Sequence, residues 1–506
     1  MSRFKKFFSG HILLIALVVM SLPFRLYHVT FPLLDSFYFR QSQTATFALN
    51  FYKSGINFFQ TELDIFGIGK ERFLVLEFPI YEAVVAILYR LFFFHELWGR
   101  VVSIIAGYIG AYFIYQITYL ILQKRTIAFF SAFFFLFAPL NIFYHRSFMI
   151  DPTIIAFLLS GLYFGLRWIM TCKLKFLVLS VILFSLGFIQ KGLYGPFWFL
   201  PLIFFSIQKR TFKSILHPSF LALIIIPVST LLLWQQYMNI TNTSHGQFFF
   251  TTVDAAHLEW NFGEFADRFS KEMWQVRINQ VLNGIFLKPG LILFFIGLVV
   301  CKSLDKTSFF YIFLVSQILY FITLFRIQAQ NYYQLVMIPA FSVFIGIGCY
   351  QIVKFVKGAL GSLFPRIKLS SLLSPLVLTF FLIFYVMKSW QNALPSFSID
   401  WEWLQRIQRI EEKLPPNSFG VFVTPGYDWN SVYSYYLKRK LYSVSIEDIS
   451  KEKVQNLKLH GYSFIILYDY ESYSRYLQAV KRNNDYSFID TLPKIFQEQG
   501  LKVYLL

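Results

Sequence analysis

Long apolar runs dominate the first 390 residues of the chain. Each run approaches the roughly 20 residues that a helix needs to cross a bilayer. The runs predict eleven membrane-spanning helices, at residues 11–27, 101–122, 126–144, 153–171, 176–190, 194–208, 217–237, 284–302, 308–325, 333–353 and 370–388. The run from Pro79 to Phe94 is too short for a span, and we expect it to form a helix on the outer surface of the membrane.

Clusters of basic residues recur along the chain, and two apolar runs separate each cluster from the next. The clusters lie near Lys124, Arg167, Lys209, Lys302, Lys354 and Arg366. Because Lys and Arg are enriched in cytoplasmic loops, the clusters mark the cytoplasmic side and predict an inside N-terminus and an outside C-terminus. The sequence therefore predicts a multi-pass protein of the cell inner (plasma) membrane, with large outer-face loops at residues 28–100 and 238–283.

After residue 390 the pattern changes to short alternating segments typical of a small α/β domain. Helices are predicted at Trp401–Leu414 and Trp429–Leu437, a turn at Pro425-Gly426, and strands at Ser418–Thr424, Ser463–Tyr468 and Lys502–Leu506. The predicted fold class is thus an α-helical polytopic membrane domain at residues 1–389, followed by a non-cytoplasmic soluble α/β domain at residues 390–506.

The composition excludes a soluble protein of this size. Hydrophobic residues make up 56% of the chain and charged residues 14%, against roughly 25% charged in a globular protein. Of the net charge of +19, +18 belongs to the apolar part, because residues 391–506 hold 14 of the 46 basic and 13 of the 27 acidic residues. This distribution indicates membrane topology and lipid phosphates rather than a nucleic-acid partner.

Acidic residues at the predicted outer face are the first candidates for chemistry. Asp35 lies eight residues beyond the first span, where a carboxylate is costly unless it is solvated or paired. It is the candidate catalytic carboxylate, and a solvated first-turn residue is the alternative. Arg40 and Gln41 follow on a helix-like stretch as candidate substrate-binding residues. Glu77 and Asp151 are candidates for further acid or base groups, or for ligands of a divalent ion.

Basic residues at the same face are candidates for binding an anion. The planar fork of Arg and the point charge of Lys both suit a phosphate. The candidates are Arg326, Arg100, Arg146 and Lys191, with Tyr332 and Tyr333 beside them as substrate-binding residues. Interfacial snorkelling is the alternative for Arg146 and Arg326. Zinc, Walker, GxSxG and Rossmann motifs are absent from the sequence.

Five short segments resemble one known family of membrane enzymes. The segments are Asp35–Gly55, Glu77–Glu82, Glu96–Arg100, Arg146–Pro152 and Gln330–Gln334. Their order and spacing, over about residues 11–350, resemble bacterial relatives of the protein O-mannosyltransferases. These relatives belong to the C-type superfamily of membrane glycosyltransferases (GT-C), as do the lipid A aminoarabinose transferases. The chain departs from many of them at Ser36, where they carry Glu, and at Phe78, where they carry Lys.

The resemblance implies a transferase that takes a sugar from a polyprenyl-phosphate carrier on the non-cytoplasmic face. The acceptor is a hydroxyl of a lipid, glycan or protein, and Asp35 acts at the catalytic centre. We expect the four basic candidates to hold the donor phosphate, while the need for a divalent metal ion stays open. The domain after residue 390 is expected to bind the acceptor, so that a core truncated there still cleaves the donor. A polytopic lipid or sugar transporter or flippase is the alternative, and it would carry ionisable residues near the middle of its helices.

Overall fold

Helices fill most of the first 393 residues. The computed structural model describes residues 3–301, 308–363, 369–424, 429–468, 487–498 and 500–506. The helices of this part are α1 (Arg3–Leu26), α2 (Tyr38–Ser54), α3 (Ile80–Leu91), α4 (Leu97–Leu122), α5 (Arg125–Phe137), α6 (Pro139–Tyr144), α7 (Asp151–Thr171), α8 (Leu174–Gln190), α9 (Phe199–Lys209), α10 (Pro218–Ser244), α11 (Ala255–Phe262), α12 (Lys271–Val281), α13 (Leu287–Cys301), α14 (Ser308–Thr323), α15 (Ile338–Leu363) and α16 (Leu369–Ala393).

The described residues of the predicted spans lie almost entirely on helices, as expected where the backbone must satisfy its own hydrogen bonds in lipid. Within the described ranges, six helical stretches are long and apolar enough to cross a membrane. Helices such as α5, α8 and α14 are apolar but shorter, so the count of eleven spans stays a prediction. Lys302 and Arg366, two of the residues predicted to mark the cytoplasmic side, lie outside the described residues.

Glycines allow α13 and α15 to approach each other closely. A Cβ atom at Gly297 would lie 1.9 Å from the carbonyl oxygen of Phe344, and one at Gly348 would lie 1.9 Å from that of Leu293. Small residues at helix contacts are the usual device for close packing in membranes, where the hydrophobic effect does not drive helices together.

The region after residue 398 folds as a mixed sheet with helices, as the sequence predicted. Its elements are α17 (Trp401–Lys413), β1 (Phe419–Thr424), α18 (Val432–Leu437), β2 (Leu441–Ser445), α19 (Lys451–Leu459), β3 (Tyr462–Tyr468), β4 (Lys494–Glu498) and β5 (Leu501–Leu505). The strand order is β2-β1-β3-β5-β4, with β1 parallel to β2 and β3, and with β5 antiparallel to β3 and β4. The predicted Pro425-Gly426 turn lies outside the described residues.

Both faces of this sheet are buried, because successive side chains of a strand point to opposite sides. Val421 packs on one face with Ile465 and its neighbours. Phe422 packs on the other face with Ile407 of α17 and with Leu34, which comes from the first outer loop. The predicted C-terminal domain is therefore completed by residues that precede it by several hundred positions.

The chain divides into two units that do not follow the sequence boundary at residue 390. The helical unit comprises Met1–Phe31, Leu97–Asn239 and Thr251–Phe397. The loop–sheet unit comprises Pro32–Glu96, Ile240–Phe250 and Ser398–Leu506. The first outer loop, with Asp35 and α3, thus folds with the sheet.

Helix α3 forms where a short surface helix was predicted. Its buried face includes Tyr81 and Tyr89, while Val84, Ile87 and Leu91 are exposed along the opposite face. This apolar exposed stripe suits a helix lying on a membrane, and its location there stays a prediction.

Candidate functional site

Asp35 lies in the short connection that leads into α2, and its side chain is only 1% exposed. The Gln41 side-chain amide donates to Asp35 Oδ1 and also to the Ser36 carbonyl at 3.0 Å. Between them, Phe37 adopts the left-handed conformation with φ of 57°, which is unfavourable for a bulky residue. This turn lets α2 begin where Gln41 can reach back, so the structure brings together two predicted site residues.

Arg40 and Glu77 form a second pair of predicted residues in the loop–sheet unit. The Arg40 guanidinium donates to Glu77 Oε1 at 2.8 Å, and its carbon lies 5.8 Å from the centre of the Trp429 ring. Arg40 is only 7% exposed. A partly buried Arg–carboxylate pair over an aromatic face is held more firmly than a surface pair.

Glu82 is a buried carboxyl that the sequence analysis did not single out as a site residue. It is 6% exposed, and its Oε2 atom has no hydrogen-bond partner among the described residues. Burial, with the neighbouring Glu77 carboxylate, raises the pKa of Glu82 to about 8, while Arg40 opposes the rise. The available signal was its helical spacing with Ala86 and Tyr89, both of which are buried.

Residues after position 398 support the segment around Asp35 from the side of α18. The Leu33 backbone N–H donates to the Tyr436 hydroxyl at 2.7 Å. The hydroxyls of Ser42 and Ser431 lie 3.4 Å apart, and Leu34 is buried in the sheet core. These contacts argue against the expectation that a core truncated at residue 390 still cleaves the donor, which stays untested.

Residues 64–65 of the same outer loop pair with the edge of the sheet. The backbone N–H groups of Leu441 and Ser443 on β2 donate to the carbonyls of Asp64 at 2.8 Å and Ile65 at 3.1 Å. Beside them, the Lys440 ammonium is 2% exposed and donates to the carbonyls of Gly69 and Glu71. Burial lowers the pKa of Lys440 to about 8.

Asp151 and Lys191 form a buried ion pair in the helical unit. Lys191 Nζ lies 2.7 Å from Asp151 Oδ1, which also accepts from the Tyr194 hydroxyl at 2.6 Å. The same ammonium lies 4.9 Å from the centre of the Tyr332 ring and 4.2 Å from that of Tyr333. The structure thus brings four predicted residues together, and it places Lys191 against a carboxylate and aromatic rings.

Arg100 and Arg146 are both fully buried. Arg100 Nη1 donates to the carbonyls of His28 and Val29, each at 3.0 Å, and to that of Phe31. It therefore holds the backbone that follows α1. The Arg146 guanidinium carbon lies 4.5 Å from the centre of the Phe397 ring. Their proposed contact with a phosphate stays a prediction.

Arg326 is the most exposed of the four basic candidates. Its side chain is 38% exposed and pairs with Glu259, whose side chain is 51% exposed. An exposed pair contributes only about 0–1 kcal/mol, so Arg326 can exchange this partner for an anionic ligand at little cost.

The described residues contain no group of three His, Cys, Asp or Glu side chains that could hold a metal ion. Metal dependence is thus left open by the arrangement of these side chains.

Comparison with known proteins connects this arrangement to a family. Residues 78–234 match the family model described as dolichyl-phosphate-mannose-protein mannosyltransferase. This range holds the Glu77–Glu82 motif from Phe78 onward, together with Arg100, Arg146, Asp151 and Lys191. No curated protein matches the chain.

Solved structures show the same fold at low sequence identity. Two crystal structures of ArnT from Cupriavidus metallidurans, one bound to undecaprenyl phosphate and one in the apo state, have TM-scores of 0.66 and 0.68, and each is 13% identical, with 97% of both chains covered. The oligosaccharyltransferase AglB from Archaeoglobus fulgidus, in complex with an inhibitory peptide and a dolichol-phosphate, has a TM-score of 0.57 at 10% identity, covering 92% of this chain and 70% of that one. The sequence motifs, the family match and the fold therefore agree, and the chain is a multi-pass membrane protein with a GT-C fold that is similar to ArnT and AglB.

Proposed function

We propose that the protein is an integral-membrane glycosyltransferase that moves a sugar from a polyprenyl-phosphate donor to a hydroxyl of a lipid, glycan or protein. The reaction takes place on the non-cytoplasmic face of the inner membrane, and Asp35 is the catalytic carboxylate. The observation that carries the proposal is the placement of Asp35, which is buried and oriented by Gln41 at the start of the first outer loop.

The chemistry needs a base near the acceptor and cations near the leaving group. The acceptor oxygen attacks the anomeric carbon while the bond between that carbon and the phosphate oxygen breaks. The electron pair leaves with the polyprenyl phosphate, and the hydroxyl proton passes to the Asp35 carboxylate. Gln41 keeps this carboxylate in one orientation, because its amide donates to one of the two oxygens.

Arg326 is our first choice among the four basic candidates for the departing phosphate. Its guanidinium reaches solvent and its pairing with Glu259 is exposed. Arg100 and Arg146 are fully buried, and Lys191 already neutralises Asp151. A cation aimed at the charge that develops on a leaving group stabilises the transition state more than the ground state.

The location of the buried charges favours an enzyme over the alternative transporter. Asp151 begins α7 and Lys191 directly follows α8, so this ion pair lies at helix ends. A transporter or flippase more usually carries ionisable residues near the middle of its helices.

The test is a donor-cleavage assay on the purified protein in lipid nanodiscs, with a panel of polyprenyl-phosphate sugars and mass spectrometry of the released carrier. Asp35→Asn keeps the size of the side chain and removes the proton acceptor, so turnover should fall by roughly 10²-fold or more. The exposed Asp448 of the loop–sheet unit provides the matched control, since Asp448→Asn should leave turnover unchanged.

Near-normal turnover of a folded Asp35→Asn protein would remove Asp35 from the catalytic role. Movement of labelled lipid across the bilayer without cleavage of any donor would instead support the transporter.

A further inference from the structure

An aromatic edge projects from the helical unit between α11 and α12. It is formed by Phe265 and Phe269, which lie on a short 3-10 helix and are 76% and 74% exposed. Their rings are 5.2 Å apart and packed edge to face. Trp260 of α11 is also half exposed. Contiguous aromatic surface of this kind marks a contact site for another molecule or a membrane.

The segment that carries these rings is fixed to the rest of the helical unit by arginine side chains. Arg268, which lies between the two phenylalanines, donates to the carbonyls of Phe262 and Glu264, both at 2.9 Å. It also donates to Ile322 and Thr323 at the end of α14, at 3.1 and 2.7 Å.

A second arginine fixes the helix that follows. Arg277 of α12 is 3% exposed and donates to the carbonyls of Phe325 at 2.8 Å and Arg326 at 3.0 Å. Turning the phenylalanines inward would break several charge-assisted hydrogen bonds, which are the stronger kind. The outward orientation of the rings is therefore built into the fold.

The neighbouring elements identify the lipid bilayer as the occupant of this surface. Phe269 lies two residues before Lys271, the first residue of α12. This helix exposes Val276 and Ile278 and leads into the apolar part of the helical stretch Lys271–Cys301, which can span a membrane. The α14 end to which Arg268 is fixed exposes Leu319 and Ile322. The aromatic edge thus adjoins the apolar end of α14 and the helix that leads into the apolar α13. Aromatic side chains at the ends of membrane helices typically lie in the interfacial layer.

We propose that Phe265 and Phe269 insert into the boundary between the lipid headgroups and acyl chains, as a fixed interfacial anchor. The exposed Lys271 ammonium beside them suits the lipid phosphates. Arg277 donates a hydrogen bond to the backbone carbonyl of Arg326. The anchor therefore also sets how deep the backbone around Arg326 lies in the membrane. The proposal does not depend on the reaction that the protein catalyses.

Site-directed spin labelling measures this depth directly. A background variant with Cys172, Cys301 and Cys349 replaced by Ser or Ala receives a single cysteine at position 265 or 269, is labelled with a nitroxide, and is placed in nanodiscs of phosphatidylethanolamine and phosphatidylglycerol in equal amounts. Collision with oxygen and with a water-soluble nickel chelate should place both labels about 5–10 Å below the phosphates, the depth typical of interfacial helices. Labels at the exposed Glu452 of the loop–sheet unit should be open to the nickel chelate.

A second measurement puts the label at a position other than 265 or 269. A label at Ala266, between them in the sequence, should move toward water when Phe265→Ser and Phe269→Ser are combined, and should stay in place with the paired control Tyr442→Phe in the sheet. Nickel-accessible labels at 265 and 269, or an Ala266 label unmoved by the double substitution, would overturn the proposal. Dipolar coupling between labels of two copies, with oxygen access no higher than at Glu452, would assign the edge to a protein dimer and overturn it as well.

Discussion

Asp35 and Asp151 are equally buried aspartates that have different surroundings. Both side chains are 1% exposed. Asp151 accepts from the Lys191 ammonium and the Tyr194 phenol, whereas the hydrogen bond described for Asp35 comes from the neutral amide of Gln41. Asp151 is therefore one half of a buried ion pair, whereas the Asp35 carboxylate is oriented by an amide at the start of α2.

The two aspartates also differ in the structural elements that support them. Asp151 depends on helices that are close in sequence, since α7 and α8 follow each other along the chain. The Asp35 segment depends on the sheet region, through Leu33, Leu34 and Ser42. The predictions below test each side of this difference, from the largest expected effect to the smallest.

Removal of residues 398–506 should abolish donor cleavage completely. Leu34 would lose its buried site in the sheet core, and the Leu33 N–H would lose its phenol partner. Donor cleavage in nanodiscs measures the effect, and hydrogen exchange of α15 shows whether the helical unit remains folded. A truncated protein that is folded and still cleaves the donor would show that Asp35 does not need the sheet.

Substitutions in the Asp151–Lys191 pair should be destabilising one at a time and much less so together. Asp151→Asn or Lys191→Met alone leaves a buried charge without its partner, at a cost of about 3–5 kcal/mol. The double variant restores neutrality. The apparent melting temperature in detergent measures stability, and the exposed pair Glu259 and Arg326 serves as the control, with an expected contribution of about 0–1 kcal/mol.

The same single and double variants also test whether Lys191 has a structural role or binds the donor phosphate. If the pair is structural, the stable double variant keeps its affinity for polyprenyl phosphate. Loss of that affinity in a stable double variant would indicate that Lys191 binds the donor phosphate.

Tyr436→Phe should weaken the support of the Asp35 segment without changing any charge. The Leu33 N–H would lose the hydroxyl that accepts from it at 2.7 Å, and leaving a buried donor unsatisfied costs about 1–3 kcal/mol. We expect lower turnover with unchanged donor affinity, measured by donor cleavage and by binding of polyprenyl phosphate. The control is Tyr442→Phe on β2, and an equal loss in both variants would indicate general damage to the sheet.

Glu82→Gln should change how stability depends on pH, with the smallest effect of the four. Burial raises the pKa of Glu82 from the ordinary value of 4.5 to about 8. The folded protein therefore holds this proton between those values while the unfolded chain releases it, so stability falls as the pH rises through this interval. The variant should gain about 1–2 kcal/mol over the wild-type protein between about pH 5 and pH 8.

Apparent melting temperatures at about pH 5 and about pH 8 measure this gain in stability. The control is Glu452→Gln on the exposed start of α19. A gain that is the same at both pH values would show that the Glu82 carboxyl is already ionised near neutrality.

The sequence predicts the parts of this protein that depend on local patterns. Apolar runs are sufficient for the membrane helices, and alternation is sufficient for β1, β3 and β5. It also singles out Asp35 and Gln41 as candidate site residues of one short segment. Phosphate-binding candidates are harder to rank from sequence, because the type of residue does not distinguish buried Arg100, which holds backbone carbonyls, from exposed Arg326.

Contacts made by backbone groups leave no pattern in the amino-acid sequence. Asp64 and Ile65 pair with β2 through their carbonyls, and any residue could supply those atoms. The grouping of the first outer loop with the sheet could not be predicted for this reason. Glu82 was missed for a related reason, because a glutamate in the first turn of a helix usually faces water and interacts with the helix dipole.

The hydrogen bond between Leu33 and Tyr436 joins residues 403 positions apart, and this separation has a consequence for biosynthesis. At about 5–20 residues per second, the ribosome needs roughly 20–80 seconds to make the chain between them. During that time the Asp35 segment has left the ribosome while the sheet that supports it does not yet exist. The Asp35 segment is therefore among the last parts of the protein to acquire its final structure, and until then its backbone lacks the contacts that bury it in the folded chain.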